Sequence, residues 1–220
     1  MEMTSFESAV LLDAYAEIRR RFTGTKDLAH DWEHVSRVYT LALKIAEKEG
    51  ANCFIVGMAA LMHDLGHSPQ HGSTKHHADL SVELATELLT SYQVPADTQE
   101  LILHAIISHS FSRGAKPRTL EALVLRDADR LDSLGAIGIL RWAVTGVLLS
   151  NPQTRFYHSD DPFGRHHNLD DRTYMLDHFF SKLLRLSDTM GTETGRQIAQ
   201  KRTAFMHMYL NELGNELGIE

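Results

Sequence analysis

Apolar residues recur at helical spacing along nearly the whole chain, and no convincing run of alternating β-branched residues interrupts them. That periodicity restricts the fold to an all-α helical bundle. Phe6 to Phe22 reads as a first helix stopped by Thr23-Gly24. Asp31 is placed to cap a second, which runs to Glu49 and ends at Gly50. Cys53 to about Gly66 reads as a third, and Ser68 to His77, with Pro69 and Gly72, as a loop. Ala78 to Tyr92 is a fourth, and Pro95 opens a fifth as a first-turn proline, running to about Ser110. After a break at Arg113 to Pro117, a sixth covers about Thr119 to Leu134, and Gly135 and Gly138 introduce another to Leu149. Asn151 to Asp171 holds two prolines and Gly164 and is the longest irregular segment, of the length often used for lids. Helices near Thr173 to Leu186 and Glu193 to Leu213 complete the chain. Repeats and low-complexity linkers are absent, and a single domain over residues 1–220 is expected.

Composition narrows the function classes. A hydrophobic share of 43% supports a sizeable core, and a net charge of −7 argues against grip on long nucleic acid, which depends on neutralised phosphates. A small phosphate substrate stays compatible, because a metal and a few local cations dominate a pocket. One cysteine, Cys53, cannot form an internal disulfide. The early residues carry acids and no long apolar run, and no stretch is apolar enough to span a bilayer. A cytoplasmic protein without membrane or nucleic-acid partners is expected, with a homodimer left open.

Polar residues stand where the core belongs. His34, Val38, Leu41 and Ile45 share one helical face, so a histidine begins an apolar stripe. In the string ALMHDLGH, Val56, Ala60, His63 and His67 share a stripe, with Asp64 one step round. A buried charge is costly unless paired or bound to a cation, and His63 and Asp64 can converge on one point from a helix. The string EALVLRDADRLDSLG places Asp127, Asp129 and Asp132 in an apolar helix. Asp129 and Asp132 share a face, whereas Asp127 lies about 200° from Asp129. Arg126 and Arg130 are placed to neutralise acids that bind no metal. Two imidazoles and two carboxylates from three helices suit Mn, Fe, Co, Ni or Zn better than Ca, with positions left for water and a substrate oxygen.

His34, the adjacent pair His63-Asp64 and a distant Asp129 resemble the H…HD…D signature of the HD-domain superfamily. The strings HDWEHVSRV, ALMHDLGH and RDADRLDSLGAIG look like a bacterial and archaeal subgroup of single-domain HD hydrolases, and the likeness extends to LILHAIISHSF and TETGRQIAQKR. The resemblance implies a metal-dependent phosphohydrolase with one divalent cation, manganese first, with Co, Ni, Fe, Zn or Mg as alternatives. Its ligands would be His34, His63, Asp64 and Asp129; the resemblance, not helix geometry, selects Asp129 over Asp132. It also implies a small phosphate substrate, a nucleotide, with release of pyrophosphate or phosphate. A phosphodiesterase on cyclic nucleotides or short oligonucleotides, and a non-catalytic metal-binding module, are the rival readings.

His67 stands where several HD hydrolases carry an acid, so Asp64 or His67 is the expected catalytic base. Arg37, three residues after His34, and Lys75, in the following loop, are the expected phosphate-binding cations. Arg130 and Asp132 read as supports behind the ligands. His104 and His109 lie about 140° apart on one helix, so they cannot easily face one metal; either remains a candidate for a second site. The pairs His76-His77 and His166-His167 read as solvated loop residues, with folding over the substrate as the alternative for each pair.

Overall fold

The computed structural model describes residues 3–69, 75–110 and 113–219. Among these it contains nine α-helices: α1 Ser5–Arg21, α2 Trp32–Glu49, α3 Cys53–Met62, α4 His77–Ser91, α5 Ala96–His109, α6 Leu120–Leu131, α7 Gly135–Leu148, α8 Asp177–Ser181 and α9 Glu193–Leu217. Tighter 3₁₀ turns occupy Leu65–His67 and Leu183–Thr189. Strands are absent among the described residues apart from one isolated bridge, Arg155 to Tyr174. The helical reading holds, and no single described helix is long and apolar enough to cross a membrane.

The chain divides into two compact units. The first runs to Asp129 and takes in Gly191–Gly195; the second takes Arg130–Met190 and Arg196 onward. In the first unit α3 is the central element and packs against α1, α2 and α5. Every residue from Phe54 to Met62 is buried, and each large apolar side chain so placed contributes about 1.5–3 kcal/mol. Asn52 starts α3 by accepting from the backbone N–H groups of Phe54 and Ile55. α2 has the boundaries its sequence predicts: Asp31 accepts from the His34 N–H at 2.9 Å, and Gly50 closes the helix in the left-handed region at φ 74°.

Three sequence expectations need correction. α3 stops at Met62, four residues early, because Asp64 leaves helical geometry at φ −109°, ψ 18° and the chain tightens into the Leu65–His67 turn. There a Cβ at Gly66 would overlap the carbonyl oxygen of His77, so only glycine lets this turn pass so close to the start of α4. Pro95 caps α5 from outside rather than occupying its first turn. The helix expected from Thr173 to Leu186 is instead the short α8 followed by the 3₁₀ stretch. Of the predicted loop at Ser68 to His77, residues 70–74, including Gly72, lie outside the described residues.

In the second unit the irregular stretch before α8 is held by hydrogen bonds. Arg155 donates to the Thr173 carbonyl at 2.8 Å, and Met175 and Leu176 donate back to Arg155 and Phe156. The Trp142 indole N–H reaches the Met175 carbonyl at 2.7 Å, while its ring packs edge-on to Phe179. His167 is no solvated loop residue: it lies between the carboxylates of Asp161 and Asp177, 2.8 Å from each.

Candidate metal centre

Three elements of the first unit bring four side chains to one buried point. His34 comes from the first turn of α2, His63 and Asp64 from the end of α3, and Asp129 from α6. His34 and His63 are fully buried, and Asp64 nearly so. The His34 and His63 Nε2 atoms are 3.3 Å apart. His34 Nε2 lies 3.4 Å from Asp64 Oδ2 and 3.5 Å from Asp129 Oδ1; His63 Nε2 lies 3.5 Å and 4.0 Å from the same two atoms. Nitrogen and oxygen ligands held about 2.0–2.2 Å from one ion stand about 3.0–3.5 Å from one another. Most of these spacings fit that shell, and most are too long for good hydrogen bonds.

The ring tautomer agrees. His63 Nδ1 is 2.8 Å from the Ala60 carbonyl, to which it donates, leaving the Nε2 lone pair directed at the shared point. Burial pushes the His63 pKa down to about 4, reinforced by His109 and His34, so it is neutral at working pH, as a ligand must be. Burial alone would raise Asp64, but His63, His109 and His34 hold it well below the usual carboxylate range. Asp129 follows the same pattern, depressed by His34, His63 and His109 against burial. One buried carboxylate, Asp64, and one half-buried, Asp129, facing two imidazole lone pairs are costly without a cation. The donor chemistry fits a divalent ion: His34, His63 and Asp129 form one possible ligand group, and Asp64 adjoins it in a second with His63 and His109.

A wider layer of imidazoles surrounds the four. His109, the last residue of α5, is buried with Nε2 3.7 Å from Asp64 Oδ1. Its Nδ1 donates to the Ile106 carbonyl at 2.5 Å, the same fold-back onto the third preceding carbonyl that His63 makes. Burial lowers its pKa, but Asp64 and Asp129 raise it more, giving a net upward shift. His104 turns away and accepts from the Arg118 N–H at 3.0 Å. His67 and His77 each place a ring nitrogen within 4.8 Å of Asp64 and of each other, and Asp27, His30 and His67 form a similar group. The reading of His76-His77 as solvated is thus wrong for His77, which α4 carries back toward the site. His30 and Asp27 lie outside the residues the sequence singles out; a histidine directly before the Asp31 cap is the signal for His30.

The remaining expected residues divide. Arg37 is half-buried on α2, one turn from His34. Lys75 is exposed and ion-paired with Glu83 at 2.7 Å. Asp127 is buried, but its charge is met by the N–H groups of Gly191 and Thr192 and the Thr192 hydroxyl rather than by Arg126 or Arg130. Asp132 pairs with Arg141 at 3.1 Å, and Arg130 donates to the Thr189 carbonyl.

Comparison with known proteins places this geometry. The HD domain model matches residues 31–134, which contain all four converging side chains. Bacillus subtilis YpgQ, an uncharacterized protein, is 35% identical over 192 residues, covering 86% of this chain and 84% of YpgQ. The crystal structure of YpgQ in complex with ADP covers 96% of each chain at 31% identity, with a TM-score of 0.74. An HD-superfamily hydrolase from Bacillus thuringiensis superposes with a TM-score of 0.74 at 27% identity, over 97% of this chain and all of that one. Ribonuclease Y from Chloroflexus aurantiacus is 32% identical over 99 residues, only 18% of its length.

Proposed function

The chain belongs to the HD-domain superfamily of hydrolases, and from that premise we propose that it is a metal-dependent nucleotide phosphohydrolase. Nucleoside triphosphates are the proposed substrates, cleaved to monophosphate and pyrophosphate or with related phosphate release. The observation that carries the reading is the convergence of His34, His63, Asp64 and Asp129 at ligand-to-ligand distances. The ADP complex of YpgQ supports a nucleotide as the ligand. The reading treats residues 1–220 as one HD-type domain working in the cytoplasm on a small phosphate substrate, with manganese as the first choice of ion.

His34, His63, Asp64 and Asp129 would hold a divalent ion, which would supply Lewis acidity toward a phosphoryl oxygen and lower the pKa of a water. The protein supplies the rest. Asp64 is proposed to orient the attacking water through the carboxylate oxygen facing His109. His67 lies within reach of Asp64 and is half-buried; burial lowers its pKa, so it is a neutral acceptor able to take the water's proton. Arg37 stabilises charge on the transferred group, and Lys75 joins it on leaving Glu83.

The test is metal analysis followed by a nucleotide panel with product identification, under Mn, Co, Ni and Mg. Pyrophosphate and monophosphate from a triphosphate support the reading. The ribonuclease Y similarity favours one second reading, a phosphodiesterase on cyclic nucleotides or short oligonucleotides, which would give diester cleavage with no phosphate released. Absence of turnover across the panel in metal-replete protein would leave a non-catalytic metal-binding module.

A further inference from the structure

Two aspartates of α6 stand on different sides of the helix and meet different partners. Asp129 turns to the metal centre, with Oδ1 3.5 Å from His34 Nε2. Asp127, about 200° round the helix, is fully buried and meets a segment 64 residues further along the chain. Burying a carboxylate is costly unless donors receive it, and this one is received by three.

The donors belong to Gly191–Gly195, between the second 3₁₀ stretch and the first turn of α9. The Gly191 N–H lies 2.9 and 3.0 Å from the two carboxylate oxygens and donates to both. The Thr192 N–H and hydroxyl donate to Oδ2 at 2.7 and 2.8 Å. That hydroxyl also accepts from the Gly195 N–H at 3.0 Å, which closes the segment on itself. The Thr194 N–H donates at 2.6 Å to the carboxylate of Glu49, the last residue of α2. The segment thus clasps α6 to α2, the helices that carry Asp129 and His34. All its members belong to the first unit.

Space is fitted as closely as charge. A Cβ on Gly195 would stand 2.6 Å from Asp127 Oδ2, and one on Gly191 2.5 Å from Leu123 Cδ2. Glycine at both positions lets the main chain come this near α6. Leu123 and Asp127 are one turn apart, so the segment lies along one side of the helix, and Asp129 leaves from the other. Directional bonds to a buried carboxylate leave α6 little freedom to roll about its axis. The roll that seats Asp127 among its donors also sets where Asp129 points, because two helical residues keep a fixed angle.

We propose that Asp127 is the positioning residue for Asp129: its clasp on Gly191–Gly195 sets the rotation of α6 and thereby holds the Asp129 carboxylate at the metal centre. The proposal rests on the reading of His34, His63, Asp64 and Asp129 as metal ligands, and adds to it a residue on the far side of the helix. Asp127→Asn keeps the size of the side chain and puts an amide donor where an acceptor oxygen stood. Thr192→Val removes the hydroxyl, and Thr192→Ser restores it.

Manganese affinity is measured by calorimetry on wild type, these three variants and His167→Ala. Visible spectra of the cobalt-loaded proteins report the geometry at the ion, and amide exchange of the metal-free proteins reports the clasp. Asp127→Asn is expected to bind manganese about 10–100-fold more weakly, the scale for a group that orients a ligand. Its cobalt bands are expected to shift, and its Gly191 and Thr192 amides to exchange faster. Thr192→Val is expected to lose about tenfold, the scale of one hydrogen bond to a charged group, and Thr192→Ser to match wild type. His167→Ala, altered in the other unit, is expected to keep wild-type affinity and spectrum. Wild-type affinity and cobalt spectrum in Asp127→Asn overturn the proposal. An equal affinity loss in His167→Ala also overturns it, since metal binding would then follow stability alone. Should Asp127→Asn fail to fold, the Thr192 pair decides, and equal affinity in Thr192→Val and Thr192→Ser overturns the proposal. Metal affinity that depends on Asp127 in a protein that hydrolyses no nucleotide keeps the positioning role and sinks the phosphohydrolase reading. Nucleotide hydrolysis with metal affinity indifferent to Asp127 does the reverse.

Discussion

Two histidine–aspartate clusters, one in each unit, use the same residue types and do different things. In the second unit His167 places Nδ1 2.8 Å from Asp161 and Nε2 2.8 Å from Asp177. Those are ordinary hydrogen-bond lengths, and Asp161 also accepts from the N–H groups of Arg165, His166 and His167. The two carboxylates raise the His167 pKa, and each ring nitrogen meets one of them at hydrogen-bond length. In the first unit the His34 and His63 nitrogens stand 3.3–4.0 Å from each other and from two carboxylates, and burial drives His63 toward the neutral form. One cluster favours a proton and closes a loop; in the other, burial disfavours a proton on His63 and the side chains converge on a point. Spacing and proton affinity, rather than residue identity, separate a structural clamp from a candidate metal centre.

The sharpest way to break that comparison is to remove one ligand. Asp129→Ala is expected to lose its bound metal and to lower nucleotide hydrolysis by about a thousandfold or more, as removal of a Lewis acid implies. Unchanged metal content in that variant would end the assignment. His67→Ala is expected to keep its metal and lose about 10²–10⁴ in turnover, the scale of general base catalysis, measured by steady-state kinetics beside metal analysis. Loss of metal instead would make His67 a ligand. His109→Gln is expected to weaken metal affinity by about 10–100-fold in a competition titration, because His109 Nε2 faces Asp64 Oδ1 at 3.7 Å.

The clamp should respond in the opposite way. His167→Ala is expected to lower the melting temperature while leaving metal stoichiometry at the wild-type value; loss of metal there would erase the distinction. The smallest expected effect is on pH dependence without metal. His63 and His77 titrate near 6.5 when unfolded and about 4 when folded, so between those values the unfolded chain binds more protons. Stability of the metal-free protein therefore falls as pH drops from about 6.5 toward 4. His109 and His167, shifted upward, oppose the fall by contributing stability below their folded pKa values. Denaturant titrations across that range, with and without metal, measure the balance.

Much of this arrangement is legible in the sequence. Asp31, Gly50 and Asn52 act through local backbone chemistry, so their helix boundaries follow from neighbouring residues alone. His34, at the head of an apolar stripe, marked an inward-facing polar group. The end of α3 was not legible, because apolar residues continue to Leu65 and the break at Asp64 is set by the approach of α4 to Gly66. The same limit hid Thr173 to Leu186, whose helical spacing survives in a 3₁₀ stretch. His30 and His77 reach the site by tertiary path, which no periodicity records. His109 stayed open because its angle from His104 showed only that the two diverge; burial and its bond to Ile106 show which faces inward.

Anomalous diffraction from a crystal of manganese-loaded protein tests the central claim most directly. The account predicts one strong peak per chain, bonded to His34 Nε2, His63 Nε2 and carboxylate oxygens of Asp64 and Asp129. A peak seated instead among Asp64, His67 and His77, or none at all in protein that binds the ion in solution, would contradict it.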